Sequence, residues 1–184
     1  MWSIDSKDWE DTFRVNTTAH YFLSVAFLPL LAAAADRNID KRKGRDEGRG
    51  VMVVTSSCAS MHNATNVDLT SYAASKAATD HLVRLLAAKY SRFYVRVVGI
   101  NPGCTFSFLP SGLFYNTNTP FCLCIVVPSN MNPVGAEGNI FSSLFDKVPA
   151  RRAGNAEDIS GTVLYLVSKA GVSRVSGHGT NSGA

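Results

Sequence analysis

The chain lacks a cysteine framework. Its four cysteines in 184 residues include one close pair, Cys122-Leu123-Cys124, with no second pair to complete a zinc set. The four histidines, His20, His62, His81 and His178, are scattered, so no metal site is expected. The start, Met1-Trp2-Ser3-Ile4-Asp5, lacks the basic-then-apolar order of a secretory leader. A cytoplasmic location is therefore expected, and the sequons at Asn16 and Asn63 carry little weight. Charge is absent from residues 104–127. Pro110, Asn116, Asn118 and Pro120 break that stretch, and what remains is too short to cross a bilayer. No membrane partner is expected. The net charge of +4 has its basic excess in Lys41-Arg42-Lys43 and Arg151-Arg152. Scattered basic loops explain it better than a nucleic-acid surface. The length suits one domain.

Two apolar, β-branched runs are present. Residues 51–55 follow Gly50 and end at Ser56 and Ser57. Residues 95–100 end at Asn101-Pro102-Gly103. Both read as strands buried on two faces, as in a parallel sheet. A helix over about 71–91 joins them into a βαβ unit. A second helical pattern, over 8–31, carries Phe13, Phe22, Leu23, Ala26, Phe27, Leu30 and Leu31 as an apolar stripe. Asn16 lies inside it although Asn is a mediocre helix former, and a solvent-facing Asn is the plain reading. A third helix is expected over about 155–168.

Tyr72 and Lys76 share one face of the joining helix, a turn apart. A free phenol has a pKa of about 10 and is a poor base at neutral pH. A nearby ammonium favours the phenolate and lowers that pKa. The pair can then exchange a proton with an alcohol oxygen. Ala73, Ala74, Ala77 and Ala78 leave room for a flat ring against the helix.

Asn16, the strand ending at Ser57, Tyr72-x-x-x-Lys76 and Asn101-Pro102-Gly103 come in the order that the short-chain dehydrogenase/reductase superfamily shows. Arg152-Ala153-Gly154-Asn155-Ala156-Glu157-Asp158-Ile159, followed by Val163-Leu164-Tyr165-Leu166, resembles that family's late helix. Residues 71–90 and 128–171 look most like fungal members. The resemblance implies an NAD(P)-dependent oxidoreductase that interconverts a small-molecule carbonyl and a secondary alcohol. It makes Tyr72 the acid/base. Lys76 would lower the Tyr72 pKa and bind the nicotinamide ribose, and Ser57 would orient the substrate oxygen. Ser60, nearer to Tyr72 in sequence, is the alternative. Asn16 would hold a relay water, and Pro102 and Gly103 would lie beside the nicotinamide. The helices over 8–31 and 71–91 correspond to those the family uses to dimerise. A homo-oligomer is implied, or pairing with a full-length relative.

Three departures qualify the resemblance. The family's opening strand, glycine-rich turn and helix, which bring backbone N–H groups to a pyrophosphate, have no counterpart in the first forty residues or so. Gly44, Gly48 and Gly50 match the family's glycine spacing, but they follow a helix and precede a strand, the reverse of what a phosphate loop requires. The fold class is thus α/β, the C-terminal half of a doubly wound Rossmann-like parallel sheet lacking the first strands. NAD or NADP binding is expected to be weak, and the strand that discriminates between them is absent. The second departure is 104–127, about two dozen residues where connections usually take about 4–6. A substrate lid and a translated intron are the two readings, and the second is preferred. The third is 173–184, Gly- and Ser-rich, which reads as a disordered tail. Residues 1–172 then form a partial domain with open, apolar sheet edges beside both strands. As written it is expected to be inactive. The alternative function is a non-catalytic remnant that pairs through its two long helices.

Overall fold

The computed structural model describes residues 5–39, 41–61, 69–103, 121–124, 152 and 154–171. The expected disordered tail lies outside these residues, as does most of 104–127.

Strands β3 (Val51–Thr55), β4 (Arg96–Gly103) and β5 (Phe121–Cys124) form a sheet in the order β3-β4-β5, parallel throughout. Val51 pairs with Arg96 and Thr55 with Ile100. A parallel pair cannot close through a hairpin, so the chain crosses over through helix α3 (Thr70–Tyr90). The expected βαβ unit is there, one residue earlier at the helix start and longer at the end of β4.

Alternation along the strands builds two apolar layers. Val54 and Val97 face one side, where they pack with Val83, Leu86 and Tyr90 of α3. Val98 and Ile100 face the other, against Leu166 of helix α4 (Ala156–Val167), with Val51, Val53 and Val163 alongside. Helices thus lie on both faces, as in a doubly wound fold.

The first helical pattern is longer than the apolar stripe suggested. Helix α1 (Ser6–Phe13) passes through a π-helical stretch (Arg14–Thr18) into α2 (Ala19–Asp36). Leu28 and Leu31 of α2 pack on the α3 side of the core. The continuous helix over Ser6–Asp36 is long and apolar enough to cross a bilayer. A core helix passes the same test, and α2 has a partner within the domain: Ser24 Oγ lies 2.9 Å from the Tyr90 hydroxyl of α3. Gly50 lets α2 and the sheet approach, since a Cβ there would lie 2.8 Å from the Leu31 carbonyl oxygen.

The glycine-containing connector 44–50 lies between α2 and β3, after a short hairpin of β1 (Asn38–Ile39) and β2 (Arg42–Lys43). Arg96 pins it: Nη2 donates to Gly48 O at 2.8 Å and Nη1 to Leu166 O at 3.0 Å. One guanidinium therefore ties the connector and the C-terminal end of α4 to the start of β4. Burial pushes the Arg96 pKa down from its ordinary value.

One expectation needs correction. The edge beyond β4 is not open. Phe121–Cys124 occupies it, pairing Ile100 with Phe121 and Gly103 with Cys124. An apolar strand end left unpaired would expose backbone donors and acceptors, and this short apolar run from within 104–127 satisfies them. Deleting 104–127 is accordingly expected to speed amide exchange at Asn101 and Gly103 more than at Arg96 and Val98, whose amides face β3, as read by exchange mass spectrometry.

Helix α4 begins with a reciprocal cap. Asn155 Oδ1 accepts from Asp158 N at 3.0 Å, and Asp158 Oδ2 accepts from Asn155 N at 2.8 Å. Arg152 donates to both Asp158 oxygens at 2.7 and 3.0 Å. These contacts, the Arg152 guanidinium first, hold the Asp158 carboxyl down to about 2. Replacement of Asn155 by Ala should lower unfolding stability by about 1 kcal/mol, read as a fall in the urea midpoint.

Candidate active site

The carboxyl ends of β3 and β4 and the first turns of α3 meet at one end of the sheet, where open α/β sheets place their ligands. Ser56 and Ser57 follow β3. Ser56 N donates to Ile100 O at 2.8 Å, and Ser56 Oγ donates to Lys76 O at 3.1 Å. Those two bonds lock the strand end onto both β4 and α3.

Ser57 is buried. Its Oγ accepts from Ala59 N at 3.1 Å, and its own proton has no acceptor among the described residues. Ser60, the alternative, is committed. Its hydroxyl donates to Asp80 Oδ2 at 2.5 Å. Of the two, Ser57 has the hydroxyl free to donate to a substrate oxygen.

Lys76 sits 8% exposed, with Nζ donating to Thr55 O at 3.1 Å and 5.7 Å from the centre of the Tyr72 ring. A cation within about 6 Å of an aromatic face is attracted to it. Burial pushes the Lys76 pKa down, and the Asp80 charge opposes that. Two of the three ammonium protons remain for other acceptors. Tyr72 is half-buried on the same helix.

Asn16 is not a solvent-facing side chain. It lies in the π-helical stretch, and its Nδ2 donates to Ser75 Oγ at 3.0 Å. Its backbone carbonyl accepts from Thr79 Oγ1 and His20 Nδ1, each at 2.6 Å. Thr17 Oγ1 donates to Ser75 O at 2.9 Å. So the structure brings Asn16 against α3 at Ser75, between Tyr72 and Lys76 in sequence. π-helical turns often coincide with functional sites.

Pro102 and Gly103 end β4. Gly103 has φ +130, and a Cβ there would run into Cys58 Sγ, next to Ser57. Only glycine fits that backbone and that contact. The expected set of Ser57, Tyr72, Lys76, Pro102 and Gly103 thus gathers at the strand ends.

Two residues of the site escaped the sequence reading. Asp80 and Asn101 are both buried beneath Ser57 and Ser60. Asp80 follows Lys76 by one helical turn, the same spacing that singled out Tyr72 and Lys76. Asn101 precedes the Pro-Gly turn. Among the described residues no three His, Cys, Asp or Glu side chains cluster to hold a metal.

The short chain dehydrogenase family pattern matches residues 1–113 of the chain. The chain belongs to that family. A short-chain dehydrogenase/reductase of the fungus Stachybotrys chartarum, SAT3, is 30% identical over 175 residues, covering 92% of this chain and 58% of that protein. The 7alpha-hydroxysteroid dehydrogenase of Escherichia coli is 29% identical over 163 residues, covering 89% of this chain and 49% of that one. The chain spans about half the length of the curated relatives it matches. Among solved structures, a gluconate 5-dehydrogenase from Burkholderia cenocepacia, in complex with NADP and tartrate, superposes with a TM-score of 0.65 at 20% identity, over 92% of this chain and 52% of that one. RhlG from Pseudomonas aeruginosa, with NADP, gives 0.63 at 21% identity, over 90% and 54%. These likenesses show the Rossmann-like fold, of which this chain carries about half.

The buried lysine makes a signed prediction. Its folded pKa lies below the ordinary 10.5. Between those two values the unfolded chain binds more protons, so stability rises with pH. Urea stability of the wild-type chain, measured relative to Lys76→Met, should therefore climb as pH approaches 10.5.

Proposed function

We propose that the whole protein to which this sequence corresponds is an NAD(P)-dependent oxidoreductase acting on a small-molecule carbonyl or secondary alcohol. The observation that carries this reading is the Tyr72–Lys76 pair on the first turns of α3, with Lys76 bonded to Thr55 at the end of β3 and the uncommitted Ser57 hydroxyl two residues further on. Tyr72 is the acid/base: its phenol gives a proton to the carbonyl oxygen in reduction and recovers it in oxidation. The Lys76 ammonium stabilises the phenolate left behind. Ser57 donates to the same substrate oxygen and fixes its position. Asn16, through the helix contact at Ser75, belongs to the side from which the proton is replenished.

The residues present fit one end of a nicotinamide cofactor. Lys76 retains protons for a ribose hydroxyl, and Gly103, by making room for Cys58, lets the Pro102 turn sit close beside the Ser57 turn. Such a cofactor supplies the hydride when bound. For the pyrophosphate end no strand–glycine turn–helix occurs among the described residues. The chain as written is accordingly proposed to be inactive or nearly so. Calorimetry should give affinity for NADPH or NADH no tighter than about millimolar, which is only ~4 kcal/mol of binding free energy. Micromolar binding would overturn that.

The assignment of Tyr72 is tested by Tyr72→Phe in a version of the chain restored with the strand, glycine-rich turn and helix that bind the pyrophosphate, assayed at saturating cofactor against a panel of ketones. The expected result is loss of more than about tenfold in turnover, or about 1.4 kcal/mol of barrier, with cofactor affinity unchanged. Retention of turnover would remove Tyr72 from the acid/base role.

A second reading is favoured by one surface. Phe22, Phe27 and Leu30 of α2 are 64%, 53% and 67% exposed. An apolar face of that kind marks an interaction site. The chain would then act as a non-catalytic partner, pairing with itself or with a full-length relative through α2 and α3.

A further inference from the structure

We propose that Asp80 is a positioning residue that clamps the Ser57 turn to the Pro102-Gly103 turn through Ser60 and Asn101. This rests on the function proposed above for Ser57 and the Pro-Gly turn, and it adds a residue to that machinery.

A carboxylate 8% exposed is costly to bury unless its oxygens are satisfied. No Lys or Arg among the described residues forms an ion pair with Asp80. Hydrogen bonds take that place. Ser60 Oγ donates to Oδ2 at 2.5 Å. Asn101 Nδ2 lies 3.1 Å from Oδ1 and 2.9 Å from Oδ2. The same amide nitrogen lies 3.0 Å from Ser57 O and 3.1 Å from Ser60 Oγ. Every neighbour of that nitrogen can accept, so the amide is held in one orientation. Asn101 itself is fully buried.

The geometry joins three parts of the chain just past the point where Ser56 ties β3 to β4 and α3. Asp80 is on α3, one turn beyond Lys76. Ser60 is in the 3₁₀ turn Cys58–Met61, which begins right after Ser57. Asn101 is on β4, immediately before Pro102. Strand pairing fixes β3 to β4 only as far as Thr55 and Ile100. Beyond that point the Ser57 turn leaves β3, residues 101–103 pair only with β5, and the Asp80 carboxylate bonds both to Ser60 and to Asn101. A misplacement of about 1 Å at such a site can cost about 10²-fold in rate, so a clamp here sets how well Ser57 faces the substrate.

The test uses the full chain with Asp80→Asn, Asp80→Ala and Ser60→Ala, read by amide hydrogen exchange and urea unfolding. Asn keeps the shape and can accept from Asn101 while donating to Ser60. Ala removes both bonds. The expected result is faster exchange, by about tenfold or more (~1.4 kcal/mol of local opening), at 57–61 and 101–103 in Asp80→Ala. Residues 52–54 and 97–98 should change little. Asp80→Asn should restore most of the protection, and Ser60→Ala should loosen 57–61 alone. Should Asp80→Ala fail to fold, Asp80→Asn and Ser60→Ala still decide. A second readout separates the clamp from plain stability: NMR of labelled lysine should show the Lys76 titration moving to lower pH in Asp80→Asn, because a neighbouring negative charge is gone. Uniformly faster exchange through the sheet, or unchanged exchange at 57–61 in every variant, would overturn the proposal. Neither readout needs turnover, so a failed Tyr72 assignment would leave the outcome legible.

Discussion

The β3–β4 parallel ladder is the constraint from which the site follows. Its five paired positions run from Val51 with Arg96 to Thr55 with Ile100. Parallel pairing forces both strands to end on the same side of the sheet. It also forces the chain back across one face, and α3 makes that crossing. The groups at the two strand ends and the groups on the first turns of α3 therefore converge without any long-range contact being needed to bring them together. Arg96, at the other end of the ladder, fastens α4 and the 44–50 connector and so keeps the second face covered.

The contact between α1–α2 and α3 is of a different kind. It is narrow and polar. Ser24, Ser75 and Thr79 are all fully buried. Small hydroxyl side chains let two helices come close, and each finds a carbonyl or hydroxyl partner across the gap or in its own turn. Such partners matter because an unsatisfied hydroxyl in that position costs about 1–3 kcal/mol. Orientation of the first helix against α3 is thus specified by hydrogen bonds rather than by interlocking large side chains, most of which on α2 face outward.

The sequence was legible where a period repeats. The continuous β-branched runs announce β3 and β4, and the uninterrupted pattern between them announces α3. Tyr72 and Lys76 stand out because i, i+4 places them on one face. Position 80 has the same relation to Lys76, but an Asp on a helix is ordinarily solvated, and nothing local says that this one is buried. Its partners are 20 and 21 residues away. Asn101 was hidden by the two residues after it, whose backbone meaning is plain. The β5 pairing was illegible for another cause: a short apolar run amid uncharged residues has no periodicity to tie it to β4, and only the unpaired edge of the ladder gives it a place.

The π-helical stretch has a geometric consequence for anyone reading the first helix as a wheel. An α-helix advances about 100° per residue, and a single widened turn lodges an extra residue without an extra turn. The residues of α1 and of α2 are therefore out of phase by roughly that angle. A wheel drawn straight through Ser6–Asp36 superimposes faces that point in different directions, which smears the amphipathic signal of the whole segment. The residue count between Trp9 or Phe13 and the α2 stripe acts as a phase setting. Removing one residue at 14–18 would let a regular turn take the place of the widened one and bring the two halves onto a common wheel, with both still turned toward α3 as they are now.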